Sequence, residues 1–261
     1  MRCKMEKYTV SGSIVTHNNM RTIKDTLDSL LEYTKGVDFK LFVIDNLSTD
    51  GTPEFIRENY PQIELIEPGT NNGFGAGHNV VLDRIDSKYH AIINPDIVID
   101  SDVVQIMSEK MDADESVGMI SPKILFPDGR LQVLGKRMPK LKYLIASRMR
   151  SGDEPSKLLA EYAMLDKDPD SEYRVEIATG CFIFIRTEIF KKIGGFDDGY
   201  FLYFEDYDLS CAVNKISKVI YYPKAIIYHV WGRESKKNFK LKLVQIKSMI
   251  RFYLKWMIGK K

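Results

Sequence analysis

The chain has 261 residues, 44% of them hydrophobic, enough to bury a substantial core as one domain or one domain with a tail. Basic residues exceed acidic ones by only two, a balance that points away from nucleic acid as a partner. Three widely spaced cysteines (Cys3, Cys181, Cys211) argue against a disulfide framework and against zinc-ligand spacing, and suit a reducing compartment.

Residues 1–7 lack the apolar core of a signal peptide. Residues 10–16 then read as a strand, and residues 22–33 as a helix with Ile23, Leu27, Leu30 and Leu31 on one face. A second strand over 39–44 ends at Asp45. The turn Ser48-Thr49-Asp50-Gly51 leads to a short helix with Thr52 as its cap and Pro53 at its first position. A third strand over 63–66, a helix over 75–85 and a fourth strand over 89–93 complete the first half. Alternation of this kind predicts a largely parallel sheet covered on both faces, with ligands beyond the carboxyl ends of its strands. The residues at those ends, His17-Asn18-Asn19, Asp45-Asn46 and Asn94-Pro95-Asp96, are all polar and should line one edge.

Residues 117–126 read as extended and Pro127-Asp128-Gly129 as a turn. Residues 134–173 carry only a weak helical pattern and are expected to form a segment over the site. Residues 175–185 read as a strand broken at Thr179-Gly180. Residues 209–216 continue a helix out of an acidic run, and residues 219–228 form a last extended segment ending at His229. The longest apolar run, residues 181–185, is far too short to span a bilayer.

Four motifs carry chemistry. The turn Asn71-Asn72-Gly73-Phe74-Gly75-Ala76-Gly77-His78-Asn79 either presents bare amides to a phosphate or nucleoside, or is a tight turn needing positive φ; it lacks the third glycine of a dinucleotide fingerprint. Asp96, after a strand and a proline, suits Mg²⁺ or Mn²⁺, which take one or two carboxylates and complete their shells with phosphate and water. Its other role, capping the next helix, falls more naturally to Asp100 or Ser101. His229 gains weight from the company of Asp96, and Arg233 can neutralise phosphate charge. Finally, Tyr200-Phe201-Leu202-Tyr203-Phe204-Glu205-Asp206-Tyr207-Asp208 packs three carboxylates among five aromatics, a setting that raises carboxyl pKa values. On a helix Glu205 and Asp208 share a face and Asp206 points elsewhere.

Taken in order, these segments resemble family 2 glycosyltransferases of the GT-A fold: Ile14-Val15-Thr16-His17-Asn18, Val43-Ile44-Asp45-Asn46 with Ser48 and Asp50, Asn72-Gly73-Phe74-Gly75, Asn94-Pro95-Asp96, Gly180-Cys181-Phe182, Gly194-Gly195-Phe196-Asp197, Phe204 to Leu209, and His229. The subset they most resemble is the bacterial rhamnosyltransferases of cell-surface polysaccharide assembly. The resemblance implies an α/β fold with a Rossmann-like, mostly parallel sheet flanked by helices. It implies a GT-A domain over residues 1–235 and a helical tail over 236–261. It further implies that Asp45 bonds a pyrimidine base, that Thr16 and Asn18 seat the nucleoside, and that Asn72, Gly73, Asn94 and Arg233 complete the donor site. Asp96 would hold a divalent cation on the diphosphate with His229 assisting, and Asp206 would be the catalytic base, with Glu205 and Asp208 in support. Tyr200, Phe201, Tyr203 and Trp231 become an acceptor platform. Many relatives carry Asp-x-Asp where this chain has Asn94-Pro95-Asp96, which removes one potential metal ligand. The expected reaction is inverting transfer of a sugar, rhamnose from dTDP-rhamnose, to a surface polysaccharide or lipid-linked glycan. The rivals are a UDP-hexose transferase and a non-catalytic nucleotide-sugar or glycan-binding module on the same fold.

The last 29 residues hold ten basic residues and one acidic one, against 28 and 35 in the first 232. In the tail, Lys240, Lys247, Arg251 and Lys255 share one helical side, and Phe239, Leu243, Ile246, Ile250, Tyr253 and Met257 another. Such a helix either lies on anionic lipid or docks its apolar face on the domain. The expected location is cytoplasmic, peripheral on the inner face of the cell membrane if lipid is the partner.

Overall fold

The structure is a computed structural model describing residues 7–132, 135–143, 156–230 and 239–258. Nine strands form one sheet in the order β3-β2-β1-β4-β8-β6-β9-β5, with β7 pairing the other half of β9's outer edge. The strands are β1 Tyr8–Thr16, β2 Phe39–Asp45, β3 Glu64–Ile66, β4 Ser87–Ile93, β5 Ile97–Val98, β6 Val117–Leu125, β7 Tyr173–Arg174, β8 Phe182–Arg186 and β9 Lys218–His229. Six strands run one way; β8, wedged between β4 and β6, and the short β5 and β7 run the other. The sheet is therefore mostly parallel, as expected, with an antiparallel seam that no pattern in the sequence announced.

Alternation along each strand sorts the core into two layers. Ile14, Ile93, Phe182 and Phe184 face Ile23, Leu27 and Leu30 of α1 (Ile23–Tyr33) and Met107 and Met111 of α4 (Val103–Ala113). Their neighbours Val15, Ile92, Ile183 and Ile185 face the opposite layer. Phe190 of α6 (Thr187–Lys192) and Leu209 and Val213 of α7 (Glu205–Asn214) belong to it. The remaining helices are α2 (Thr52–Asn59), α3 (Phe74–Asn79), α5 (Lys157–Tyr162) and α8 (Phe239–Tyr253), which ends in a π-helical turn over Leu254–Ile258.

Several boundaries differ from expectation. The cap of α2 is Gly51 at φ 87°, while Thr52 is the first helical residue and its hydroxyl donates to Asp50 Oδ1. Helix α3 ends at Asn79 because the next amides, of Val80, Val81 and Leu82, bond carbonyls three residues back in tighter turns; the Asn79 side chain meanwhile bonds the Phe196 amide and carbonyl and Asp198. The expected strand over 175–185 joins the sheet only from Phe182. Before it, Ile177 forms an isolated bridge with Lys136, and Gly180 donates its amide to Asp206 Oδ2 at 2.9 Å.

The apolar stripe of α8 is not its docked face. Ser248, Phe252 and Trp256 are buried instead, with Phe252 and Trp256 clustering with Tyr200, Ile177 and Cys211. Asp208 holds this junction: it accepts from Trp256 Nε1 at 2.6 Å, Lys255 Nζ at 2.9 Å and the Tyr200 hydroxyl at 3.3 Å. Replacing Asp208 with alanine orphans two buried donors and is expected to cost about 2–4 kcal/mol. The check is urea unfolding; a loss below half of the lower figure would show that packing alone retains α8.

Candidate active site

The sheet topology explains why distant residues meet. The six co-directional strands bring the ends of β1, β2, β4 and β9 to one edge. Asn94, Pro95 and Asp96 are the whole connection between β4 and β5, and Ile97 of β5 pairs with His229 at the end of β9. The metal candidates are therefore neighbours, with Asp96 Oδ1 3.4 Å from His229 Nε2.

The loops after β1 and β2 are laced together. The Asn18 amide donates to Ser48 Oγ, the Thr49 amide to Asn18 Oδ1, and the Met20 amide to Asp50 Oδ2. Thr16 is fully buried and its hydroxyl bonds Asn19, so it positions the loop rather than facing a ligand. Asp45 accepts the Ser48 amide on Oδ2, and Asn46 donates to the Gly73 carbonyl at 2.8 Å.

The decisive chemistry lies in what these groups leave unmade. Among the described residues six buried polar atoms lack a well-formed hydrogen bond: Thr26 Oγ1 on α1 and His78 Nε2 in the core, and at this edge Asp45 Oδ1, Asn46 Oδ1, Glu205 Oε2 and Asp96 Oδ1, the last with only the 3.4 Å contact to His229. A buried orphan of this kind costs about 1–3 kcal/mol, so a set of four on strand-end and helix-start residues calls for an external partner. Backbone strain collects on the same loops. Asn18, Leu47, Tyr203 and Phe204 all take positive φ, a conformation that costs such residues about 1–3 kcal/mol each.

Around His229, Gln132 makes two contacts: its Nε2 donates to the His229 carbonyl at 2.6 Å, and its Oε1 sits 3.0 Å from Nδ1. That pair assigns the proton to Nδ1 and leaves Nε2 directed at Asp96, the arrangement that outer residues impose on metal-binding imidazoles. Burial opposes charge on His229, but the Asp96 carboxylate and the Cys181 sulfur outweigh it and lift the imidazole to about 10. A cation between the two groups would replace that proton. Among the described residues no cluster of three or more His, Cys, Asp or Glu side chains surrounds this point, so most of a metal shell would come from ligand and water.

The acidic run opens α7. Asp206 is half-buried; its Oδ2 accepts the Gly180 amide and its Oδ1 the Tyr207 amide, both at 2.9 Å. Burial raises its carboxyl above the usual range, opposed by Lys136 and by those two amides. Lys136 Nζ donates to the Tyr207 hydroxyl at 2.9 Å, and Tyr207 meets the Tyr162 hydroxyl at 3.0 Å. Parts of the 134–173 segment thus do lie against the site. Glu205 is buried beside Asp206, and burial pushes it well above the carboxylate range.

Two expectations are corrected. Tyr200 is fully buried beneath α8, so it is part of the α8 junction and not of an acceptor platform. Asp208 is spent on Trp256, Lys255 and Tyr200, so its support is structural. Phe201 remains 44% exposed, Tyr203 is half-buried, Asn72 is exposed and Asn94 is half-buried with its amide on the Cys181 carbonyl. Trp231 and Arg233 lie outside the described residues. Sequence reasoning missed Gln132 and Lys136, which sit in or beside the segment without periodicity, and gave Asn46 no role of its own. The glycine turn has a packing reason: Gly73 has φ 85°, and a Cβ there would stand 1.9 Å from the Phe201 carbonyl oxygen. His78, in the same motif, is a neutral core residue, its Nδ1 2.7 Å from Ser13 Oγ.

Residues 13–194 match the family described as "Glycosyl transferase family 2". The chain belongs to that family. The glycosyltransferase is similar to the N-acetylglucosaminyl-diphospho-decaprenol L-rhamnosyltransferase of Mycobacterium tuberculosis (strain CDC 1551 / Oshkosh), 27% identical over 205 residues covering 72% of this chain and 66% of that protein. It is also similar to the rhamnosyltransferase WbbL of Escherichia coli (strain K12), 25% identical over 251 residues, 92% of this chain and 90% of that one. Among solved structures, the mannosyltransferase PcManGT from Pyrobaculum calidifontis in complex with GDP-Man and Mn²⁺ superposes with a TM-score of 0.63 at 18% identity. The match covers 97% of this chain and 65% of that one. GalNAc-T7 with UDP, GalNAc and Mn²⁺ gives a TM-score of 0.64 at 16% identity, over 86% and 43% of the two chains. These likenesses establish the GT-A fold of the glycosyltransferase.

Proposed function

We propose that this glycosyltransferase moves rhamnose from dTDP-rhamnose, with inversion, onto a lipid-linked glycan or growing surface polysaccharide. The observation that carries the proposal is the set of unsatisfied buried acceptors on Asp45, Asn46 and Asp96 at the strand ends, on loops tied to the one that precedes Asp206 by the Asn46–Gly73 and Phe74–Phe201 hydrogen bonds. Asp45 Oδ1 suits the imide N–H of a pyrimidine. Asn18, Asn72, Gly73 and Asn94 border the donor; the phosphate role expected of Arg233 falls outside the described residues.

The residues present fit a divalent cation: among the described residues the only group against buried Asp96 Oδ1 is His229 Nε2, at 3.4 Å, and His229 has its far nitrogen fixed by Gln132. Asp96 and His229 would hold Mg²⁺ or Mn²⁺, which when bound stabilises the leaving diphosphate as a Lewis acid. Asp206 takes the proton of the acceptor hydroxyl as that oxygen attacks the anomeric carbon from the side opposite the diphosphate. One displacement with one base inverts the centre. Glu205, kept neutral by burial, adds no second negative charge beside the base. Phe201 and Tyr203 supply the acceptor's apolar contacts. The choice of rhamnose rests on the two relatives described above, which are named rhamnosyltransferases.

A thermal-shift screen of nucleotide sugars with and without Mn²⁺ tests this. At one hundred times its Kd a ligand adds about 2.7 kcal/mol, which for a chain of this size raises Tm by roughly 5–10 °C. dTDP-rhamnose with Mn²⁺ is expected to give the largest shift, and Asp96→Ala to remove the Mn²⁺-dependent part. A larger shift with a UDP-hexose would overturn the donor assignment, and no shift with any nucleotide sugar would overturn the reading.

A further inference from the structure

Helix α8 has two working faces. Ser248, Phe252 and Trp256 are buried, and they lie against the loop that precedes Asp206. Ser248 Oγ donates to the Leu202 carbonyl at 2.8 Å, and the Phe252 ring centroid lies 5.6 Å from that of Phe204, tilted, and 5.8 Å from that of Tyr207, edge to face. Half a turn around the helix, Phe239 (73% exposed), Leu243 (52%), Ile246, Ile250 (52%), Leu254 (57%) and Met257 form a continuous apolar stripe facing solvent. Monomeric proteins rarely leave such a row open without a partner.

The charge pattern selects the partner. From Phe239 to Ile258 the helix carries five cations and no carboxylate. Lys247 flanks the stripe on one side and Lys242 on the other, both exposed, while Arg251 and Lys255 lie further round, turned to Asp197. A second copy of this helix, packed stripe to stripe, would set like charges against each other. A bilayer with anionic headgroups satisfies both features at once, taking the apolar row into the headgroup–acyl boundary and the cations at its rim. Among the described residues no helix is long and apolar enough to cross a membrane, so the contact is interfacial.

We propose that α8 docks the chain on an anionic lipid surface through the 239/243/246/250/254/257 stripe, while its inner face clamps the catalytic loop. Resting on the transferase reading, this places the acceptor side of the site about one helix diameter, roughly 10–12 Å, above the lipid. That height suits an acceptor whose sugar is joined to its lipid by a short polar link, and a distant glycan terminus would have to fold back to the surface.

Co-sedimentation with vesicles of phosphatidylcholine, with and without 30 mol% phosphatidylglycerol (roughly a bacterial-type anionic load), is the test. The full chain is expected to bind the anionic vesicles and to dissociate as salt rises. The triple variant Leu243→Gln, Ile250→Gln, Leu254→Gln, all exposed positions, is expected to bind about tenfold or more weakly with unchanged circular dichroism and unchanged nucleotide-sugar thermal shift. Equal sedimentation of the two proteins overturns the proposal. So does failure of the wild-type chain to bind, or a wild-type dimer that the triple variant dissociates, which would make a second copy the occupant. Vesicle binding without any nucleotide-sugar shift would leave the docking surface intact and sink the transferase reading instead.

Discussion

Replacing Asp206 with asparagine is expected to lower kcat for sugar transfer by roughly 10²–10⁴-fold and to leave nucleotide-sugar binding within about twofold. The side chain keeps its size and at least one of its two backbone hydrogen bonds, to Gly180 or Tyr207, but can no longer accept a proton. Turnover near the wild-type rate would remove Asp206 from the mechanism; a matching loss of donor affinity would recast it as a binding residue. The pH dependence follows from the same surroundings. Burial holds this carboxyl above its ordinary range, so kcat/KM should fall as pH drops through that raised value. Lys136 is the cation that opposes that rise, and Lys136→Met should move the acid limb to higher pH while Lys136→Arg restores it. Linkage has a definite sign. Because folding raises this group, its ionised form costs stability at neutral pH; the cost fades as pH falls through the raised folded value and is gone below the unfolded carboxylate value. Urea midpoints of wild type and Asp206→Asn should therefore converge, or shift in favour of wild type, on acidification.

Gly73→Ala is expected to be the most disruptive small substitution, at roughly 2–5 kcal/mol. A left-handed backbone penalises a Cβ by about 1–2 kcal/mol, and forcing an atom into packed surroundings adds about 1–3. Here the obstacle is backbone: the new carbon would stand 1.9 Å from the Phe201 carbonyl oxygen, which also accepts the Phe74 amide at 3.0 Å. Relief would push the donor-side turn away from the acidic loop, so stability and activity should fall together. Gly51→Ala is the control for positive φ: φ is 87° there with ψ 5°, the ordinary left-handed region, whereas Gly73 has ψ −172°, and at Gly51 nothing lies within 4 Å. If Gly73→Ala unfolds at the same urea concentration as Gly51→Ala, the contact with Phe201 carries no energy.

The parallel half of the sheet was legible because its strands are buried on both faces. Residues 39–44 and 89–93 are mostly apolar and residues 10–16 carry Val10, Ile14 and Val15 among small polar residues, the three separated by amphipathic segments, and β1, β2 and β4 follow within one or two residues. The antiparallel insertion of β8 was not legible, since a buried strand carries no mark of its direction. The pairing of Asp96 with His229 was proposed from residue type and from the family resemblance. What brings them within 3.4 Å is the two-residue strand β5, too short for any periodicity to reveal. Gln132 and Lys136 went unseen for a related reason: each acts through one long-range contact and belongs to no periodic element.

The acidic run shows how the two levels divide. Helical geometry separated Asp206 from Glu205 and Asp208, and that separation depends only on 100° per residue. The environment of each carboxyl was beyond it. Asp206 sits on the amides of Gly180 and Tyr207, Glu205 is enclosed without a partner, and Asp208 anchors α8. Amphipathicity likewise marked the tail as a two-sided helix, while the face that docks was settled by Phe252 and Trp256, which fit the hollow beside Tyr200. Local periodicity and turn chemistry are properties of neighbours in sequence, and the sequence by itself determined the strand edge, the order of the motifs and the family. Burial, strand direction and the fate of each polar atom depend on neighbours in space, so only the tertiary structure decided which acidic groups hold the fold and which are left open to a ligand.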